Sequence, residues 1–405
     1  MDFPMQFNGG ANSPTTPKTK SEWDIREALT PSRMTMVMWD QCYALRHGPG
    51  GSFQNYDRIL DEAIERGYNT LRLDPMLQWI DLAAPERELH WPDPKQPFMP
   101  WNWNTEVTGP VGSWIIEFME KVLSRNLHYT LSAWWFYGDH QGPAPTRVPR
   151  SHVEAAEMWI KTLEQYKRRF GFKGLVYVDI ANEVPYFLPG FEDSFSKETG
   201  DGWDLQMFSD KQKAFLSKDL NGAVAMLARE FPEVRFTASI HGDLRWLEVP
   251  LEFDCLDVHF YADADTRWLT RTRFAEHNPV LFTDDSWHRD FSDRCEKTHL
   301  AIAPMLRARQ RHKLSAFATW AAERGMPLTT TESWASWYYF DSPNLDWGWL
   351  LEWASWSVED ALEFEMWGWT PHNYCQPHFK NWQDVRWHQR LTERFLKGRP
   401  VSSQK

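Results

Sequence analysis

The feature that most constrains the fold is an alternation, from Ser32 onward, between short runs of β-forming residues and longer segments with helical periodicity. This alternation is typical of parallel βα units. The first strand is predicted at residues 33–38 and the first helix at residues 53–66, where apolar residues recur on one face. Gly67 is expected to end that helix.

Further strands and helices follow the same pattern along the chain. The strands are predicted at residues 69–73, 127–133, 175–180, 234–240, 255–260, 327–331 and near 364–367, with helices at 111–125, 153–170, around 210–230 and up to Arg324. Eight strands with intervening helices in 405 residues predict an α/β fold, a single (β/α)8 TIM barrel. We assign the barrel to residues 31–400. Residues 1–30 are predicted to form a partly mobile arm, because residues 8–20 are rich in Gly, Ser, Thr, Pro and Lys.

Charge, hydropathy and cysteine usage exclude several classes of partner. The net charge is −12 and there is no Lys/Arg-rich run, which argues against nucleic acid. No segment approaches the ~18 apolar residues of a membrane span, and the start lacks the order of a secretory signal, so we expect a cytoplasmic protein. The four cysteines form no CxxC pair and are expected to be reduced thiols. No cofactor motif is present, and the sequence does not indicate an oligomeric state.

The aromatic content, 15% of the chain, is the unusual part of the composition. Most large aromatic residues belong to protein cores. Here, however, several fall in predicted loops, as at 101–103, 134–137 and 334–340. Flat apolar faces beside polar groups suit pyranose rings, so the loops predict a carbohydrate ligand. The long excursions that contain them, residues 75–110, 134–146 and 334–349, are expected to wall the cleft into a pocket.

Polar and aromatic residues stand where the predicted strands end. The chemistry of a TIM barrel lies at the carboxyl ends of its strands, so these side chains are expected to share one small volume. Glu183 and Glu332 each follow a buried strand, where an unpaired carboxylate is costly unless it has a purpose. For the other residues a structural role remains an alternative. The complete set is Arg72, Asp74, Trp135, Asn182, Glu183, His241, His259, Tyr261, Glu332, Trp367 and Trp369.

In this order, these residues resemble the clan A glycoside hydrolases, closest to family 5 and its cellulase-like relatives. The resemblance spans residues 33–370. It rests on an Arg in NTLRLD, an Asn-Glu pair in DIANEV, a His-x-Tyr in DVHFYAD, a Glu in LTTTESW and a Trp in MWGW.

The resemblance implies a retaining hydrolysis of a β-linked glycoside or short oligosaccharide by double displacement. Glu183 would be the general acid/base and Glu332 the nucleophile. Such a site needs the two carboxyl groups about 5–5.5 Å apart, with the acid protonated and the nucleophile ionised near neutral pH. Arg72 would favour the ionised form of Glu332, and Tyr261 would donate a hydrogen bond to it.

The remaining residues of the resemblance would contact the sugar. Asn182 would bind the 2-hydroxyl, whose contacts strengthen in the transition state. His259 would contact the sugar or orient a carboxylate, and Trp367 would lie under the reacting ring. Trp135, His241 and Trp369 complete the predicted substrate-binding set. For a glycoside hydrolase, a cleft walled into a pocket favours exo over endo cleavage.

Two other functions remain open at this stage. A metal-dependent barrel hydrolase would use Glu183, His241 and His259 as ligands, but the chain lacks the His-x-His at strand one and the Asp at strand eight that such enzymes need. A non-catalytic sugar-binding barrel would need neither Glu183 nor Glu332, so the presence of both argues against it. It remains an alternative because fold alone never guarantees activity.

Overall fold

A computed structural model describes residues 30–94, 101–135, 143–145, 147–188, 190–200, 202, 207–278, 281 and 284–398. Almost the entire predicted N-terminal arm therefore lies outside the described residues. The predicted α/β barrel is confirmed, because a parallel sheet curls on itself and helices surround it.

Eight strand positions form the barrel, and each pairs in parallel with its neighbours. Strand β8 pairs with β1 and closes the ring. The first piece of β5 pairs with β4 and the second with β6, so the interrupted strand still joins both neighbours. The strands are β1 Met34–Asp40, β2 Thr70–Leu73, β3 His128–Ser132, β4 Leu175–Asp179, β5 Phe236–Thr237 and Ile240–His241, β6 Leu256–Tyr261, β7 Leu328–Thr329 and Ser333–Trp334, and β8 Gly368–Trp369.

The helices begin and end at residues that the local sequence favours. Asn55 and Ser151 cap two of them by accepting backbone N–H groups, and Gly67 and Gly171 follow them with φ of 82° and 61°. The α-helices are α1 Cys42–Leu45, α2 Tyr56–Glu65, α3 Val111–Ser124, α4 His152–Phe170, α5 Phe191–Thr199, α6 Asp210–Glu230, α7 Thr266–Thr272, α8 Phe274–His277, α9 His288–Glu323, α10 Gly348–Glu363 and α11 Val385–Leu396. Short 3₁₀ turns lie at Leu244–Glu248, Asp285–Trp287 and Lys380–Gln383, and a small antiparallel hairpin joins Leu89–Trp91 to Val107–Gly109.

The prediction of strand eight near residues 364–367 is wrong by a few residues. The backbone N–H of Trp367 donates to Leu328 O, and Met34 N donates to Trp367 O, so Trp367 lies at the amino end of the barrel. The strand itself begins at Gly368. A Cβ there would lie 2.8 Å from the methyl carbons of Met34 and Met36 and closer still to Thr329 Oγ1, so the packed barrel interior favours glycine at this position.

Two expectations on cysteine and hydropathy can be compared with the structure. All four cysteines are free and buried, as expected: Cys42, Cys255, Cys295 and Cys375. Among the described residues, no helix combines the length and the apolar character that a membrane crossing requires.

Candidate active site

Side chains from β2, β4, β5, β6 and β7 meet at the carboxyl end of the barrel. Glu332 lies between the two pieces of β7, and Glu183 follows β4. An oxygen of each carboxylate and a ring nitrogen of His259 all lie within 4.8 Å of one another. The structure therefore brings both glutamates and His259 together at the carboxyl end of the barrel.

Glu332 is held by three donors. Arg72 Nη1 lies 2.5 Å from Oε1, Tyr261 donates its hydroxyl to Oε2 at 2.7 Å, and Asn373 Nδ2 donates to Oε2 at 3.2 Å. The carboxylate is 2% exposed. A buried carboxylate with one cation and two neutral donors is fixed in direction and compensated in charge.

Glu183 is held by two imidazoles. His259 Nδ1 lies 2.9 Å from Oε1, and His241 Nε2 lies 2.9 Å from Oε2. The backbone of Glu183 has a φ of 49°, a left-handed conformation that non-glycine residues rarely adopt. Its N–H donates to Ser239 Oγ and the next N–H donates to Ser239 O, so β5 holds this turn in place.

The surroundings of Glu183 and His259 shift the pKa values of these two side chains in opposite directions. Burial raises the pKa of Glu183, but His241 and His259 together outweigh burial and lower it. Burial lowers the pKa of His259, but Glu332, Glu183 and Asp257 raise it to about 9. These opposite shifts favour an ionised Glu183 beside a protonated His259 in the free protein, whereas the resemblance implies a protonated Glu183.

Arg72 is the cation of the site and is 1% exposed. Its Nη2 donates to Asn182 Oδ1 at 2.5 Å and its Nε lies 3.4 Å from Asp40 Oδ1. Burial lowers the pKa of Arg72, but the charges of Asp40 and Glu332 raise it by more than burial lowers it. The guanidinium therefore stays charged. Burial raises the pKa of Asp40 to about 8. This network fixes the guanidinium between the nucleophile candidate and the amide of Asn182.

Comparison with known proteins identifies the family. The family model described as sugar-binding cellulase-like matches residues 36–396. The chain belongs to this cellulase-like family. Among solved structures, a candidate glycoside hydrolase from Parabacteroides distasonis ATCC 8503 is 21% identical with a TM-score of 0.75, over 92% of this chain and 96% of that one. A family 5 subfamily 18 protein from Streptomyces cattleya in complex with GlcNAc is 11% identical with a TM-score of 0.50, over 91% and 82%. No curated protein matches.

Three aromatic residues of the predicted set lie away from the site of this cellulase-like protein. Trp367 fills the amino end of the barrel and donates to Pro31 O. Trp369 donates to Ser357 of α10, and Trp135 is buried in the main core and donates to Ile180 O. Their prediction as substrate-binding residues is wrong for two reasons. Trp367 precedes β8 and so lies at the opposite end of the barrel. For Trp369 and Trp135, position near a strand end does not tell which side of the barrel wall a ring occupies.

Asn373, Trp134 and Asp40 were missed by the sequence prediction. Asn373 follows β8 and bonds both Glu332 and Tyr261. With β8 at Gly368–Trp369, Asn373 follows the end of a strand, as the other residues of the site do. Trp134 Nε1 donates to Asp40 Oδ2 at 2.7 Å, and its ring lies 5.6 Å from the Arg72 guanidinium. The sequence predicted the adjacent Trp135 instead. Successive side chains of an extended segment point to opposite sides, and it is Trp134 that points toward the site.

Glu183, His259 and Glu332 together form the kind of cluster that can hold a metal ion. The set differs from the predicted ligands, which had His241 in place of Glu332. Arg72 lies within hydrogen-bonding distance of Glu332, so a cation bound there would meet a fixed positive charge. The donor set therefore fits a carboxylate pair better than a metal centre.

Proposed function

We propose that the protein is a retaining glycoside hydrolase that acts on a β-linked glycoside or short oligosaccharide. One observation carries the proposal: oxygens of Glu183 and Glu332 lie within 4.8 Å at the carboxyl end of the barrel. Retaining enzymes have carboxyl groups about 5–5.5 Å apart, whereas inverting enzymes need about 6.5–9.5 Å to admit a water molecule. Family membership supports the same class of reaction.

Glu332 is the nucleophile in this proposal. The charge of Arg72 and the hydrogen bonds from Tyr261 and Asn373 keep its carboxylate ionised and aimed in one direction. Attack on the anomeric carbon forms a covalent glycosyl-enzyme, and water then releases the sugar with its original configuration.

Glu183 is the acid/base, and His259 supplies the proton that it delivers. In the free protein that proton lies on His259 Nδ1, 2.9 Å from Glu183 Oε1. Glu332 is the largest of the charges that raise the pKa of His259. As attack consumes the charge of Glu332, His259 becomes a stronger acid and its proton moves through Glu183 to the leaving oxygen. Formation of the bond between Glu332 and the sugar is thus coupled to protonation of the leaving oxygen.

This assignment predicts the basic limb of the pH profile. The His259–Glu183 pair carries the reactive proton only below the pKa of His259, which is about 9. We expect kcat/KM for a nitrophenyl glycoside to hold up to about pH 8 and to fall as pH rises through about 9. Initial rates between pH 5 and pH 10 measure it. A basic limb centred near pH 6.5, the ordinary value of histidine, would contradict the assignment.

Two side chains are available to the sugar. Asn182 Nδ2 has no acceptor among the described residues, and we assign it to the substrate 2-hydroxyl. Tyr186 is 49% exposed, and its ring centroid lies 4.8 Å from that of His241, which gives a sugar a flat apolar face beside the acid/base. The preference for exo cleavage stays a prediction, since parts of the excursions at 75–110 and 134–146 lie outside the described residues.

A mechanism-based probe tests the proposal. Nitrophenyl α- and β-glycosides are screened first, and the 2-deoxy-2-fluoro analogue of the best sugar is then added. We expect time-dependent inactivation with one label on the peptide that carries Glu332, located by mass spectrometry. Turnover of the β-glycoside without any labelling, or a label on a different carboxylate, would contradict a double displacement through Glu332.

The family description also permits a protein that binds sugar without hydrolysing it. The two histidines that hold Glu183 ionised favour this second function, because an ionised carboxylate accepts sugar hydroxyls well. Binding of a sugar by calorimetry, with no turnover of any glycoside that contains it, would replace the first proposal with the second.

A further inference from the structure

A cavity of about 550 Å³ opens beside the two glutamates, between the ends of β5 and β6 and the helix α9. Its wall includes His241, His259 and Tyr261, which also contact the carboxylates. The far wall carries Arg309 and Lys313 of α9. A sugar at the carboxylates can therefore extend a substituent toward two cations.

Both acidic residues that line this cavity, Asp243 and Asp265, are already paired with an arginine. Asp243 pairs with Arg245 at 2.7 Å, and Asp265 pairs with Arg309 at 2.6 Å. Each acid is thus already compensated by an arginine. Lys313 also lines the cavity and belongs to neither ion pair.

Lys313 is the unused cation of the group. Among the described residues it has no hydrogen bond and no carboxylate within 4 Å. Burial lowers the pKa of its ammonium, whereas Asp243 and Asp265 raise it and Arg309 lowers it further. A lysine that has lost part of its hydration and has gained no hydrogen bond can donate to an anion.

We propose that this cavity binds an anionic substituent of the sugar substrate, a carboxylate or a phosphate, through Lys313. The inference rests on the proposed glycosidase function and narrows its substrate class from a neutral to an acidic glycoside. Gln310 lines the same cavity and donates its Nε2 to Trp334 O, and its side-chain carbonyl oxygen can accept a hydrogen bond from a hydroxyl of the ligand.

Three nitrophenyl glycosides of the preferred ring test the proposal: the neutral sugar, its 6-carboxylate and its 6-phosphate. We expect one of the two anions to exceed the neutral sugar in kcat/KM by at least about tenfold, as charge-assisted hydrogen bonds do. In Lys313→Met and Lys313→Gln that ratio should fall at least tenfold, mainly through KM. Lys297→Met, an exposed lysine of the same helix, is the control and should keep the ratio. The arm that responds tells carboxylate from phosphate.

Equal turnover of neutral and anionic glycosides, or an unchanged ratio in both Lys313 variants, would overturn the inference while leaving the glycosidase proposal intact. Calorimetry with the free uronic acid, the sugar 6-phosphate and inorganic phosphate tests whether the anion site exists even if the protein hydrolyses no glycoside. Binding of an acidic sugar that weakens in Lys313→Met, without turnover of any glycoside, would support the anion site and refute the hydrolase. Inorganic phosphate binding as tightly as the sugar phosphate would show a site unrelated to sugar.

Discussion

Replacing Glu332 with Gln is expected to lower kcat on nitrophenyl β-glycosides by at least about 10³-fold, because the amide cannot attack the anomeric carbon. The substitution keeps the size of the side chain and a hydrogen bond with Tyr261. Sugar binding should therefore survive within a few-fold. The measurements are steady-state rates and calorimetric titration of the same variant.

Replacing Glu183 with Ala has a different signature. With a poor leaving group the loss should again reach several orders of magnitude, whereas with dinitrophenolate, which needs no protonation, glycosylation should proceed and hydrolysis of the intermediate should become slow. Added azide should then restore turnover and give a glycosyl azide of the same anomeric configuration as the substrate. In Glu332→Ala, azide should give the opposite anomer.

The exposed Glu164 of α4 supplies the control, since Glu164→Gln changes the same functional group far from the mouth of the barrel. Turnover within about twofold of the unsubstituted protein is expected there. Unchanged kcat in either Glu183 or Glu332 variants would refute the assigned roles, and identical azide products from both would show that the roles of the two glutamates are not distinct.

Arg72→Met is expected to lower both stability and activity. The guanidinium is buried, and its removal leaves the carboxyl groups of Asp40 and Glu332 without their cation. Breaking a buried pair by removing one partner costs about 3–5 kcal/mol, because an uncompensated charge stays inside. We expect the free energy of unfolding in urea to fall by about that amount. Residual turnover should drop at least about a hundredfold, since Glu332 loses its orientation.

Arg72→Lys separates charge from geometry. One ammonium keeps a positive charge but cannot reach Glu332 and Asn182 together, so the loss of stability should be smaller than in Arg72→Met while the loss of kcat remains large. Arg33→Met is the matched control: Arg33 is a buried arginine near Phe395, and its removal should lower stability without lowering kcat. Wild-type stability in Arg72→Met would show that the buried network contributes nothing.

The regular elements were predictable because their signals are local. The helix around residues 210–230 was placed correctly by its apolar periodicity, and a capping box at Ser209 and Gln212 fixes its start. Strand eight was misplaced because its two residues give almost no periodic signal. Its position is set by hydrogen bonds of Trp367 to Leu328 and Met34, which are distant in sequence.

For the site, too, the features that depend on chain order were predictable and those that depend on distances between side chains were not. By itself the sequence determined the order of strand ends, and with it the meeting of Arg72, Glu183, His259 and Glu332, because parallel strands of one barrel all finish at one face. Only the tertiary structure decided the directions of the rings and the place of the proton. Trp135 turns into the core, and Asn373 bonds Glu332. Burial lowers the pKa of His259, but Glu332, Glu183 and Asp257 raise it, and the distances between these groups exist only in the folded chain.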